Sequence, residues 1–406
     1  FVDRVNLAAA APIMQKDLGL SNIALGIAFS AFNYSYAPFQ LVGGWFADRF
    51  GARRTLMVCG LWWSLTTIAT AAVTGLVSLF AVRCVLGMGE GATLPAANRA
   101  LSKWTGLASR GTAIGITHSA GRVGAAAAAP IVVFLITWFS WRFSFAALGT
   151  VSAFWAALWW WTFHEDPRQH PAITSTELAT LPADDPAART GSGPVPWRRL
   201  VPRMMPMMII YFCQGWTGWL YVTWMPSLLK NNYGLDLKKS SLLYAAVILT
   251  GFIAELLGGV GTDYLLRRTE SVQIARARLI AVVWVLAVAA LVPAILVHNL
   301  VVGVAGFTLT LFFMGMAGAP LWAAAIDIAP NYAGSSTALM NGAGAVAGIM
   351  SPVVFGWILT RTGSWTAPFA VSVGLLLFAV VVTWWIRPDR PIAAVPCIDS
   401  LAAAGE

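Results

Sequence analysis

Gly44-Trp-Phe-Ala-Asp48-Arg49-Phe-Gly51-Ala-Arg53-Arg54 closes an uncharged run that extends from Leu18 to Ala47, and sets one acid and three arginines beside a turn glycine. The pattern returns 215 residues on, where Gly259-Val-Gly-Thr-Asp263 ends another apolar run and is followed by Arg267 and Arg268. In both copies the glycine precedes the aspartate by four, so on a helix the two share a face. Such a glycine lets a neighbouring helix approach closely, with the acid at the helix end beside a basic loop. One copy alone could be any membrane helix that runs into a basic loop. Two copies at equivalent places imply an internal duplication.

The composition agrees. Of 406 residues, 58% are hydrophobic and 11% charged, against about 25% charged in soluble domains. Uncharged stretches long enough to cross a bilayer, ~20 residues, recur at Leu56–Thr74, Phe143–Phe163, Met204–Leu229, Leu279–Val297, Asn299–Ile326, Tyr332–Thr360 and Thr366–Ile386. The chain reads as an all-α integral membrane protein in contact with lipid. The net charge of +9 sits in short loops between apolar runs, which excludes a nucleic-acid partner or a secreted domain. Cys59, Cys84, Cys213 and Cys397 have no metal-ligand spacing, so neither a metal nor a cofactor is expected.

Twelve transmembrane helices are predicted, over 1–14, 22–47, 55–74, 76–99, 111–138, 142–163, 204–229, 239–264, 278–298, 299–327, 332–360 and 365–386. The chain starts without Met in an apolar segment too short to span, so part of the first helix is expected to be missing. The polar stretch 164–203 divides the spans into an N-terminal half, 1–163, and a C-terminal half, 204–386. A Pro/Ala-rich tail, 387–406, is expected to be disordered. With the central loop in the cytoplasm, seventeen Lys and Arg residues fall inside and six outside, so both termini are placed in the cytoplasm of a cell membrane. A second repeat supports the division: Gly111, His118 and Gly121 match Gly334, Asn341 and Gly344, each displaced by 223.

Ionisable groups inside spans are costly unless paired or facing a wet cavity, which makes them functional candidates. The first half has Asp3, Arg4, Arg83, Glu90 and Arg122; the second has Glu255 and, near a span end, Asp327. Arg83 and Glu90 are two helical turns apart and look the same way, as a structural ion pair would too. His118 and Arg122 share a face, although His118 alone reads equally as a satisfied polar core residue. Glu255 lies two turns inward from Asp263, where it could serve a gate.

The two glycine–aspartate–arginine stretches resemble the loop 2–3 and loop 8–9 signature of the major facilitator superfamily (MFS), which implies twelve helices in two pseudo-symmetric six-helix halves around a central site. Within it, Asp3-Arg4-Val-Asn-Leu, Phe29-Ser-Ala-Phe32 with Tyr36, Arg83…Gly87-x-x-Glu90, and Asn341 before Gly344 resemble the anion:cation symporter family. That branch contains sugar-acid/proton symporters and is related to sialin and the vesicular glutamate transporters. The resemblance implies Arg4 as the ligand of a substrate carboxylate, with Tyr36, Gln214, Trp322 and Asn341 around it. It also implies Asp3 and Glu90 as the protonatable pair, and Arg83 as the partner of Glu90. Phe1 stands where a tyrosine is common, and Arg122 where sugar-acid members carry a neutral residue. Both departures point away from a simple aldonate and make Arg122 a further candidate substrate ligand.

The expected function is proton-coupled symport of an organic carboxylate by a monomer, with protons and a small organic anion as partners. Importing an anion against an inside-negative potential costs about 2.3 kcal/mol per charge per 100 mV, and a co-moving proton cancels that term. Gating is expected of Asp48, Arg49, Arg53, Asp263, Arg267 and Glu255, at or near the span ends. An exchanger or efflux carrier on the same fold is the alternative. A membrane enzyme would need a nucleophile–base or metal constellation, and His118, His164, His170 and His298 supply none. A sensor would usually append a soluble domain larger than the central loop.

Overall fold

The computed structural model describes residues 2–20, 22–181, 194–234, 237–297 and 299–392. Within those ranges the side chains of some helical residues, among them Asp3, Arg4 and Arg122, lie outside the described set. The first half comprises α1 (Val2–Asp17), α2 (Asn22–Phe50), α3 (Ala52–Thr70), α4 (Leu76–Gly91) with α5 (Thr93–Trp104), α6 (Arg110–Trp138) and α7 (Trp141–Thr162). After a short linker helix, α8 (Ser175–Thr180), the second half comprises α9 (Trp197–Tyr233), α10 (Leu237–Thr269), α11 (Leu279–Leu296), α12 (Leu300–Met316) with α13 (Gly318–Ile328), α14 (Ala333–Thr362) and α15 (Ala367–Val382). These are twelve spans in two six-helix halves. Among the described residues, six of them are long and apolar enough to cross a bilayer on length and composition alone. Large apolar side chains such as Leu65, Val77, Trp138, Phe154, Val282 and Val353 are exposed on the outside of the bundle. On a water-soluble protein such a surface would drive association.

Two spans differ from the sequence reading in the same way. The fourth and the tenth are each broken, at Ala92 and at Ala317, and resume at once as α5 and α13. A proline stands three residues after each break. Pro95 cannot donate to the carbonyl of Gly91, nor Pro320 to that of Met316, so the helical ladder loses a bond in each. The neighbouring helix exploits both breaks: Gly43 of α2 packs against Ala92, and Gly258 of α10 against Met316.

Two boundaries also move. The seventh span begins at Trp197 rather than 204, its first turns carrying Arg198, Arg199 and Arg203 beyond the apolar run. Residues 387–392, expected to belong to a disordered tail, are docked: Arg203 donates to the carbonyls of Arg387 and Arg390 at 2.7 and 3.0 Å, and Ile392 N–H donates to Ile328 O at 2.8 Å. Residues 393–406 lie outside the described residues.

The halves meet where α2 packs on α14 and α6 on α10, with α5 and α13 completing the seam. Close approach requires glycine. A β-carbon at Gly44 would lie 2.5 Å from Gly334 O, and one at Gly259 the same 2.5 Å from Gly111 O. The glycines of one repeat thus admit the backbone of the other.

Candidate functional site

The two repeats interlock across the seam. Asp48 accepts the N–H groups of Gly334 and Ser335 at 2.9 and 2.6 Å, capping the start of α14 in the opposite half. Asp263 accepts those of Gly111 and Thr112 at 3.0 and 2.6 Å, capping the start of α6. A buried carboxylate at a helix N-terminus satisfies orphan amides and meets the positive end of the helix dipole. Arginines brace both: Arg99 lies 3.7 Å from Asp48 and Arg276 3.3 Å from Asp263. Arg99 also donates across the seam to Pro330 O at 2.9 Å. Asp327 is held by Arg276 at 3.1 Å and, across the seam, by Arg110. All these groups sit at the end of the bundle that carries the linker.

The basic residues expected at the gate are placed differently. Arg49 and Arg267 are exposed. Arg53 turns back within its own half: its backbone N–H donates to Glu165 at 2.9 Å and its guanidinium bonds Trp160 O and stacks 4.4 Å from the Trp160 ring. Lys103 bonds the same Glu165 at 2.7 Å. The cations that reach the paired aspartates are Arg99 and Arg276, which come from neighbouring helices and carry no local pattern with them.

Further from the linker end the halves enclose a cavity of about 480 Å³. Asn33, Tyr36, Gln40, Thr117 and His118 line it from the first half, and Tyr211, Gln214, Trp219, Glu255, Trp322 and Asn341 from the second. Tyr36, Gln214, Trp322 and Asn341, expected at the site, are therefore brought together. Glu255, expected at the gate, lies in the cavity wall 3.3 Å from His118 Nδ1. Asn341 donates to Gln40 Oε1. Trp322 stands edge-on to both His118 and Tyr211, with ring centroids 4.8 and 5.7 Å apart. Gly344 keeps space for the Tyr211 ring, 2.6 Å from where a β-carbon would stand.

Arg83 and Glu90 are buried on α4 rather than in this wall. The Arg83 guanidinium lies 5.1 Å from the Phe32 ring, which stacks on Tyr36 at 5.1 Å, so the wall rests on that cation through two rings. The side chains of Asp3, Arg4 and Arg122 lie outside the described residues. Sequence reasoning did not include Gln40, His118 or Tyr211 in the site. The first two had usable signals, because Gln40 is related to Glu255 by the same 215 residues as Asp48 to Asp263, and His118 to Asn341 by the 223 of the second repeat.

Residues 1–352 match the model of the Major Facilitator Superfamily. The chain belongs to that superfamily. MFS membership makes it a multi-pass membrane transporter and not an enzyme. It is 38% identical over 389 residues to the probable sulfoacetate transporter SauU of Cupriavidus necator, covering 96% of this chain and 90% of that one. It is 31% identical over 400 residues to the hexuronate transporter of Bacillus subtilis, covering 98% and 93%. Among solved MFS structures, FucP in its outward conformation superposes with a TM-score of 0.70 at 13% identity, over 95% of this chain and 97% of that one.

Proposed function

We propose that the protein is a proton-coupled importer of small organic acids, working by alternating access, in a state closed at the linker end. The observation that carries this reading is a polar and aromatic cavity between two halves that the duplicated aspartates latch together on one side of it. The relatives named for sulfoacetate and hexuronate support an organic anion as the cargo. Residues 1–163 and 204–386 act as the two moving bodies, joined by 164–203. Arg4 takes the substrate carboxylate, because a guanidinium can hold it bidentately, and Arg122 offers a second cation. Asp3 and Glu90 carry the protons: substrate on Arg4 neutralises its field, so Asp3 loads a proton before the site reorients, and Glu90 does the same against Arg83. Proton and anion then favour each other's binding, a coupling that is necessarily reciprocal.

Uptake into proteoliposomes tests this, with sulfoacetate and a hexuronate as probes under an imposed pH gradient. The wild type is expected to accumulate one of them, and Asp3→Asn and Glu90→Gln to exchange it without accumulating it. Uptake indifferent to the gradient would make the protein an exchanger instead. The excess of Arg and Lys at the linker end supports a cytoplasmic position for that end. Cysteines introduced in 164–203 should accordingly react with an impermeant maleimide only after the cells are opened. Labelling of intact cells from outside would reverse the orientation.

A further inference from the structure

The displacement of 215 that relates Asp48 to Asp263 also relates Gln40 to Glu255, and the displacement of 223 that relates Gly111 to Gly334 also relates His118 to Asn341. The four residues meet as two equivalent rungs between the halves, Gln40 with Asn341 and Glu255 with His118. Both rungs line the cavity, two helical turns from the aspartate latches. The neutral rung shows that bridging the seam at this level takes only two amides. Its counterpart uses an acid and a base, which are more costly to bury than amides. Since the bridge itself does not require that chemistry, a ligand is the natural reason for it.

The geometry supports one. Glu255 faces Nδ1 and so fixes the ring and sets a proton on that nitrogen. Nε2 is left over. It is buried, has no hydrogen-bond partner among the described residues, and belongs to a side chain only 10% exposed in the cavity wall. When the ring carries both protons, Nε2 donates to an oxyanion while the Glu255 carboxylate balances its charge. Gly318 keeps Glu255 in place: a β-carbon there would stand 2.8 Å from Glu255 Oε1.

We propose that His118 Nε2 is a substrate ligand that receives the second anionic end of a short bifunctional acid, a sulfonate or a carboxylate, and that Glu255 is its positioning residue. Trp322, edge-on to the ring, walls the subsite on its apolar side. The inference rests on the reading of the cavity as an organic-acid site, and calorimetry on the purified full chain separates the two. The probes are sulfoacetate, which has two anionic ends, and ethanesulfonate and propanoate, which have one each. His118→Ala is expected to weaken sulfoacetate about ten- to a hundredfold, as for one charge-assisted hydrogen bond, and to leave the single-ended acids within about threefold. His118→Gln, which keeps a donor, should recover part of the loss. Glu255→Gln should lie between it and wild type, and these two variants carry the comparison if the alanine variant does not fold. If His118→Ala binds sulfoacetate as wild type does, or loses all three acids equally, the subsite is refuted while the cavity reading stands. If the wild type binds none of the three, the cavity reading fails and takes the subsite with it.

Discussion

Asp263→Ala is expected to open the linker end of the protein. The carboxylate is fully buried, accepts two backbone N–H groups at the start of α6 and lies 3.3 Å from Arg276. Removing it strands both amides and one contact of a buried guanidinium, a class of change that costs about 3–5 kcal/mol. That cost falls only on the state in which α6 and α10 are together, since the parted ends are hydrated. The equilibrium between the two states should therefore move by a factor on the order of 100 or more. Ala329 is wholly buried at this end and offers a reporter. In a background without the natural cysteines, Ala329→Cys should react with a maleimide far faster once Asp263 is alanine. Transport should slow while substrate affinity stays within a few-fold, and the same is expected for Asp48→Asn to a smaller degree. An unchanged labelling rate would remove Asp263 from the gate.

The second large effect is steric. Gly44→Ala combined with Gly259→Ala would place two methyl groups 2.5 Å from backbone carbonyls across the seam. Neither contact can relax by a side chain turning away, because the obstacles are main-chain atoms of α14 and α6. The helices would have to part by about 1 Å, against an ordinary carbon–oxygen contact of about 3.3–3.6 Å. The short bonds from Asp48 and Asp263 would then break on both sides of the pseudo-two-fold. Transport is expected to fall by an order of magnitude or more, with the protein held open at the linker end. Gly374→Ala is the matched control, because nothing lies within 4 Å of a β-carbon there; alanine in a helix should cost it nothing. Uptake by the double variant at the rate of the control would show that the closed seam is not part of the transport cycle.

Residue type and spacing along the chain determined the twelve spans, the six-plus-six division and the two repeats, because a bilayer imposes its length on each helix directly. The same one-dimensional reading placed Tyr36, Gln214, Trp322 and Asn341 together only through a family resemblance. It also held part of the information for the two broken spans, in Pro95 and Pro320, each of which removes one bond of the local ladder, although Pro38, Pro130, Pro293 and Pro352 stand inside unbroken helices. What it could not supply was the partner of each exposed face. Helical periodicity tells which residues look the same way, and nothing about which helix they look at. Asp48 stands beside Arg49 and Arg53 in the chain, yet its ligands are the amides of Gly334 and Ser335 in the other half. Arg53 turns to Glu165 and Trp160 instead, and Arg99 takes its place. His118 and Glu255 likewise carry no signal for each other along the chain. They meet because glycines at the two helix crossings, Gly44 with Gly334 and Gly259 with Gly111, bring the backbones close enough for one repeat to close on the other.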